Sequence, residues 1–401
     1  MEIAVKPVES SDELRMAIDL MVKTHIDGDT LATRWLENCA GQYPGYRREH
    51  TRIAVRSREV LGALRLTTDT IRIGEARLKM GGLGWVATAS HYRRRGVCRK
   101  LIEDTLHYMR ENSYHVSMLF GIMDFYHRFG YVTTLADYSV VLDTMDAVSF
   151  ENPFKEHLAK PGDVAAIQKL HHANEGDSVC SLIRSTGHIR NKWGRWSEWR
   201  MLKDDRGKSV AYYVARCDGE TLQVCEVGVD GLAVCAAVVS AAGHFAEAEG
   251  LSRVRFHVPP SHVFARFLTQ FRSIHEMRLD RNGGGMMSFI NTGESLESMI
   301  PEWESQISRS GLRDVRTEFT LFVNDETFRI RSNRGAVDVS PAPGASKISL
   351  SSGDLMHLVT GYRCPEDVLA ERRCIVSSEA RMLFATIFPR RNPYVWMFDR
   401  F

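Results

Sequence analysis

The segment GWVATASHYRRRGVCRKLIEDTLHYM, Gly84 to Met109, constrains this chain more than any other. An apolar run, Trp85 to Ala89, predicts a buried strand. A turn with Arg93, Arg94, Arg95 and Gly96 follows, and a helix is expected from about Val97 to Arg110. Cys98, Leu101, Ile102, Thr105 and Met109 fall on one face of that helix, which must be buried. A strand, a glycine turn and a helix N-terminus in this order make an anion site. Free N–H groups and the positive end of the helix dipole converge there, and arginines add charge-assisted hydrogen bonds. Gly96 lets the backbone approach a phosphate closely. A solvated basic turn or a nucleic-acid patch is the competing reading. The position between a buried strand and an amphipathic helix favours phosphate, and a pyrophosphate fits best.

A second segment, Asp124-Phe125-Tyr126-His127-Arg128-Phe129-Gly130-Tyr131, follows the strand HVSMLFG, His115 to Gly121. Tyr126 can reach the end of the neighbouring strand and supply a proton to a group lying there. A tyrosine so placed, taken alone, is more often a packing aromatic.

A chain of 401 residues suits two or three domains rather than one core. The formal charge of +2 gives no global field for nucleic acid or an anionic membrane, so neither is expected as a partner. The cysteines Cys39, Cys98, Cys180, Cys217, Cys225, Cys235, Cys364 and Cys374 form no C-x-x-C pair, and no His cluster has metal-ligand spacing. No metal site is expected. Several of these thiols lie in apolar runs, which reads as a reducing, cytoplasmic setting. The beginning, MEIAVKPVESSDELRMAI, is not patterned as a signal peptide. The longest apolar stretch, near Val234 to Ala246, is too short and interrupted to span a bilayer.

The element pattern predicts mixed α/β domains. Helices are expected over Ser10 to Lys23 and Leu31 to Cys39, and strands over Thr51 to Ser57, Glu59 to Ile73, Gly81 to Ser90 and Tyr138 to Thr144. Met145 to Pro161 reads as a linker. The order then partly repeats: a helix at Val164 to Ala173, strands SVAYYVA and TLQVCEVGV, a helix at Ala233 to Glu249, the strand VRFHV and the helix HVFARFLTQF. After TLQVCEVGV comes Asp230-Gly231-Leu232-Ala233, with no basic turn. The strands FTLFVND, TFRIRSN, GAVDVSPA and KISLSS, with a helix near Gly353 to Thr360, form a separate α+β domain. The expected boundaries are 1–147, 148–297 and 298–401.

These motifs resemble the GNAT superfamily. Its R/Q-x-x-G-x-G/A signature is matched by Arg93, Gly96 and Cys98, with a bulkier residue at the last position, and its Y-x-x-x-G-F/Y signature by Tyr126, Gly130 and Tyr131. The whole layout is similar to the enhanced intracellular survival (Eis) acetyltransferases, through HYRRRGVCRKL, FYHRFGY and the ending LFATIFPRRNPYVWMFDRF. The resemblance implies an active N-terminal GNAT fold, a degenerate central one, a C-terminal domain like sterol carrier proteins, and a hexamer. It implies an acetyl-CoA-dependent N-acetyltransferase acting on a primary amine such as an aminoglycoside, a polyamine or lysine. Tyr126 would be the acid for the coenzyme thiolate, and the carboxylate of Phe401 the base for the amine. Backbone amides at Val86 and Thr88, with Arg93, Arg94, Arg95, Gly96, Val97 and Cys98, would hold acetyl-CoA. Asp27, Trp35 and Asp399 would wall the acceptor pocket. Two other activities fit less well. Tandem-GNAT aminoacyl transferases using charged tRNA lack an intact coenzyme turn, and a non-enzymatic lipid carrier would leave that turn idle.

Overall fold

A computed structural model describes residues 3–25, 36, 42–176, 178–193 and 198–401. The chain divides into two compact units: residues 1–134, 280–391 and 401, and residues 135–279 and 392–400.

In the first unit, β1 (Ala4–Pro7), β2 (Thr51–Arg56), β3 (Glu59–Ile73), β4 (Ala76–Thr88) and β5 (Val116–Gly121) lie side by side in chain order. β2, β3 and β4 are antiparallel neighbours, whereas β4 and β5 run parallel through the crossover helix Val97–Glu111. That helix buries Leu101, Ile102, Thr105 and Met109 as its sequence period predicts, with Val97 and Leu106 added and Cys98 only half-buried. Beyond β5 the sheet continues through a strand far along the chain, β15 (Gly284–Phe289), and ends on β6 (Val132–Leu135).

The strand Tyr138 to Thr144, expected in this first sheet, is β7 (Asp137–Asp143) and belongs to the second unit. The boundaries near 147 and 297 therefore cut across a strand exchange. Both β7 and β15 are short apolar strands, and local pattern does not specify which sheet a strand completes.

The rest of the first unit is the α+β part. Its sheet runs β18 (Ala336–Ser340), β17 (Glu326–Asn333), β16 (Arg316–Val323), β19 (Lys347–Leu350), with β16 and β19 parallel. Trp303, Phe319, Phe384 and Phe388 fill its core at ring separations of 5.1–5.6 Å.

In the second unit the segment read as a linker contains a helix, Thr144–Val148, and a strand, β8 (Lys155–Leu158). The short strand β9 (Val179–Leu182) follows, then β10 (Glu198–Lys203), β11 (Ser209–Asp218), β12 (Thr221–Val229), β13 (Arg253–Phe256) and β14 (Ile274–Arg278). The sheet order is β14-β7-β13-β12-β11-β10-β8. Read backwards, it repeats the first sheet position by position, down to the parallel pair β12 and β13.

Residues 392–400 complete this second unit. Tyr394 and Trp396 are buried in its core, and Tyr394 donates to the His257 carbonyl at 3.0 Å. Arg184, fully buried, donates to both carboxylate oxygens of Asp399 at 2.7–2.9 Å and to both of Glu226 at 2.6–2.7 Å. Burial pushes the Glu226 carboxyl up, but Arg184 outweighs it and holds the group ionised.

No helix among the described residues is long and apolar enough to cross a membrane. No group of His, Cys, Asp and Glu among them could hold a metal ion.

Candidate active site

The site begins where two parallel strands part. β4 and β5 pair from Met80–Val116 to Leu83–Leu119 and no further, although β4 continues to Thr88. The cause lies on the other edge of β4. Between the pairs Ala63–Ala87 and Arg65–Gly84, β4 takes three steps against two on β3. Trp85 absorbs this bulge at φ 54°, a left-handed backbone costly for a bulky residue. The bulge turns β4 away from β5 and exposes its backbone at Val86 and Thr88. The carbonyl of Val86 contacts His25 Nε2 at 3.2 Å.

Val86 and Thr88 line a cavity of about 620 Å³, within the range of small-molecule sites. Arg93, Arg94, Gly96, Val97, Cys98 and Tyr126 line it too. The sequence-predicted turn, strand end and tyrosine thus meet in one space. Arg95 departs from the set: its guanidinium lies 5.7 Å from the Tyr92 ring, and its side chain is not part of the cavity wall.

The turn has an anion site's shape. Arg94 and Gly96 have φ of 61° and 79°, and Gly96 is the N-cap of the helix Val97–Glu111. A glycine gives no side-chain cap, and the first helical turn holds no acidic residue. The helix's leading N–H groups are left for a ligand.

Tyr126 opens the short 3-10 turn Tyr126–Phe129. Its ring packs against Gly121, where a Cβ would meet Tyr126 carbons at 2.4 Å. Phe125 packs edge-on to it at 4.9 Å. No described residue takes the Tyr126 hydroxyl. Burial pushes its pKa well above 10, so the phenol stays protonated. Burial also pushes the Cys98 thiol up to about 11. Tyr131 has a packing role: it is fully buried, with its hydroxyl 2.6 Å from Ser117 Oγ.

Phe401 lies over β4. Its ring covers Gly82, where a Cβ would come within 2.4 Å, and sits 6.0 Å edge-on from Phe120. Its backbone carbonyl carbon is 3.0 Å from where a Cβ on Gly84 would be. Gly82 and Gly84 share one face of the strand. A side chain at either would displace Phe401. Sequence reasoning did not single out these glycines, although two glycines at spacing two in an apolar strand signal close approach.

Of the expected acceptor-pocket residues, Asp399 is corrected. It is 1% exposed and held by Arg184 in the second unit, so it is not free to meet an acceptor. A carboxylate beside an aromatic tail looks like a wall in sequence, but its partner is more than 200 residues away. Asp27 and Trp35, with the helix expected at Leu31 to Cys39, lie outside the described residues.

Residues 11–134 match the family of acetyltransferase (GNAT) domains. The fold is of the GNAT type. A GCN5-related N-acetyltransferase from Anabaena variabilis superposes with a TM-score of 0.78 at 14% identity, over 100% of both chains. A probable N-acyltransferase from Enterococcus faecalis gives 0.78 at 15%, again over 100% of both. Eis1 from Mycobacterium abscessus gives 0.64 at 13%, over 99% of this chain and 100% of that one. At these identities the likeness is one of fold. No curated protein matches the chain by sequence.

Proposed function

We propose that the chain is an N-acetyltransferase that moves acetyl from acetyl-CoA to a primary amine by direct attack in a ternary complex. The observation that carries this reading is one cavity lined both by an uncapped, arginine-rich helix start and by a protonated tyrosine with a free hydroxyl.

The residues fit the coenzyme. N–H groups from Arg94 to Cys98 and the guanidinium groups of Arg93 and Arg94 hold the pyrophosphate. Backbone amides at Val86 and Thr88, freed by the bulge, extend the sheet's hydrogen bonding to the pantetheine arm. Tyr126 then faces the thioester and donates its proton to the departing thiolate. Where Phe401 carries a free carboxylate, that group is the base over Gly84. Alkyl amines are mostly protonated near pH 7, and a carboxylate there draws the proton away as the amine attacks.

The second unit is a degenerate GNAT fold in this reading, and the α+β part is related to sterol carrier proteins. The family likeness is to the Eis acetyltransferases, with a cytoplasmic setting and a hexameric assembly. Aminoglycosides, polyamines and lysine side chains are the acceptor class.

The test is acetyl-CoA consumption across a panel of such amines, with the chain ending at Phe401 and with a short extension after it. We expect turnover with amines and at least a tenfold loss on extension. No turnover with any amine would overturn the reading, and full activity in the extended chain would remove Phe401 from it.

A further inference from the structure

Arg99 and Arg128 also line the cavity, joining Arg93 and Arg94. None of the four has a carboxylate, a carbonyl or a ring as partner among the described residues. The same unit pairs arginines elsewhere, as in Arg52 with Asp104 at 2.6 Å and Arg15 with Asp12 at 2.7 Å. A solvated basic face normally interleaves both signs. Four guanidinium groups around one cavity without a counter-charge instead describe a site for a polyanion.

A pyrophosphate accounts for only half of this charge. Its two phosphodiester-like groups carry about two negative charges, matched by Arg93 and Arg94 beside the helix start. Arg128 stands on a different element, the turn Tyr126–Phe129, two residues after the tyrosine. Arg99 is the third residue of the helix, past the turn. Both are exposed. Phe125, Phe129 and Ile122 line the cavity beside them. This part of the wall suits a flat base and a second phosphate near solvent.

Resting on the acetyl-CoA reading, we propose that Arg128, with Arg99, binds the 3′-phosphate of the coenzyme's adenosine. A phosphomonoester carries about −1.5 to −2 at pH 7, which two guanidinium groups balance. Arg128 thereby makes the site selective for the 3′-phosphorylated coenzyme over its 3′-dephospho form.

The experiment measures binding of acetyl-CoA and of 3′-dephospho-acetyl-CoA to the full chain and to its R128A and R94A variants. The full chain is expected to prefer acetyl-CoA by about tenfold or more, the size of one charge-assisted contact. R128A should weaken acetyl-CoA by a similar factor and leave the dephospho form unchanged, erasing the preference. R94A should weaken both ligands alike. Equal weakening of both by R128A, or no weakening of either, would overturn the proposal while leaving the acetyl-CoA reading intact. Failure of the full chain to bind either compound would overturn that reading and the proposal with it.

Discussion

Replacing Tyr126 with Phe removes one oxygen and keeps a ring packed against Gly121 and Phe125. The hydroxyl has no described partner, so its loss orphans no donor or acceptor. Stability should change by less than about 1 kcal/mol, and acetyl-CoA affinity should hold because no phosphate contact is touched. Turnover is where the cost should fall. Loss of a positioned general acid costs about 10²–10⁴ in rate, or roughly 3–5 kcal/mol of transition-state stabilisation. The pH profile adds a second readout. Burial raises the Tyr126 pKa above 10, so the acid form, and the stability linked to it, are intact below pH 10 and fade only as pH rises through the raised value. The wild-type kcat should therefore show no alkaline fall below pH 10 that disappears in Tyr126→Phe. Steady-state kinetics at saturating acetyl-CoA, with cofactor affinity measured directly, provide the assay. A Phe variant that turns over at the wild-type rate would refute the assignment.

Arg94→Ala should weaken acetyl-CoA binding ten- to hundredfold, whereas Arg95→Ala, whose side chain faces Tyr92, should cost only a few-fold; equal losses, read by titration calorimetry, would contradict the geometry. Calorimetry should also find one acetyl-CoA per chain, since β12 is followed by Asp230, paired with Lys208, where β4 is followed by arginines. Two equal sites would count against that. Arg184→Ala should destabilise the fold by about 3–5 kcal/mol, because it leaves Glu226 and Asp399 buried without their cation. Denaturant unfolding measures this, and a loss below about 1 kcal/mol would mean that water reaches the carboxylates.

Elements with local signals were legible in both units. Glu59–Ile73 and Thr221–Val229 read correctly as strands to the residue, and the helix starting at Val97 as amphipathic, since side-chain period alone decides such elements. The glycine turn before that helix was legible for the same reason. What sequence could not convey was long-range. Which sheet β7 and β15 complete depends on partners more than 100 residues away. The direction of Arg95, the pairing of Asp399 and the place of Arg128 in the cavity wall depend on neighbours that only the folded chain brings together. The strand β8 was lost in a segment whose prolines suggested a linker.

The two units contain the same backbone device put to opposite uses. In β4 the register slips at Trp85, and in β12 at Cys225, each beside the parallel strand from which the bulged strand then separates. The first opening keeps free N–H groups, unpaired arginines and a hydroxyl without a partner. Each costs stability, and strained Trp85 adds about 1–3 kcal/mol. The second unit instead buries Glu226 one residue past its bulge and closes around the chain's own Trp396 and Asp399. Trp396 donates there to Glu175 at 2.7 Å, and Arg184 is shared between two carboxylates. A phosphate entering this opening would meet the buried carboxylates of Glu226 and Asp399, whose Arg184 is already engaged. The fold thus keeps its polar groups unpaired in one opening and pairs them in the other, which is the asymmetry that the single-site titration above tests.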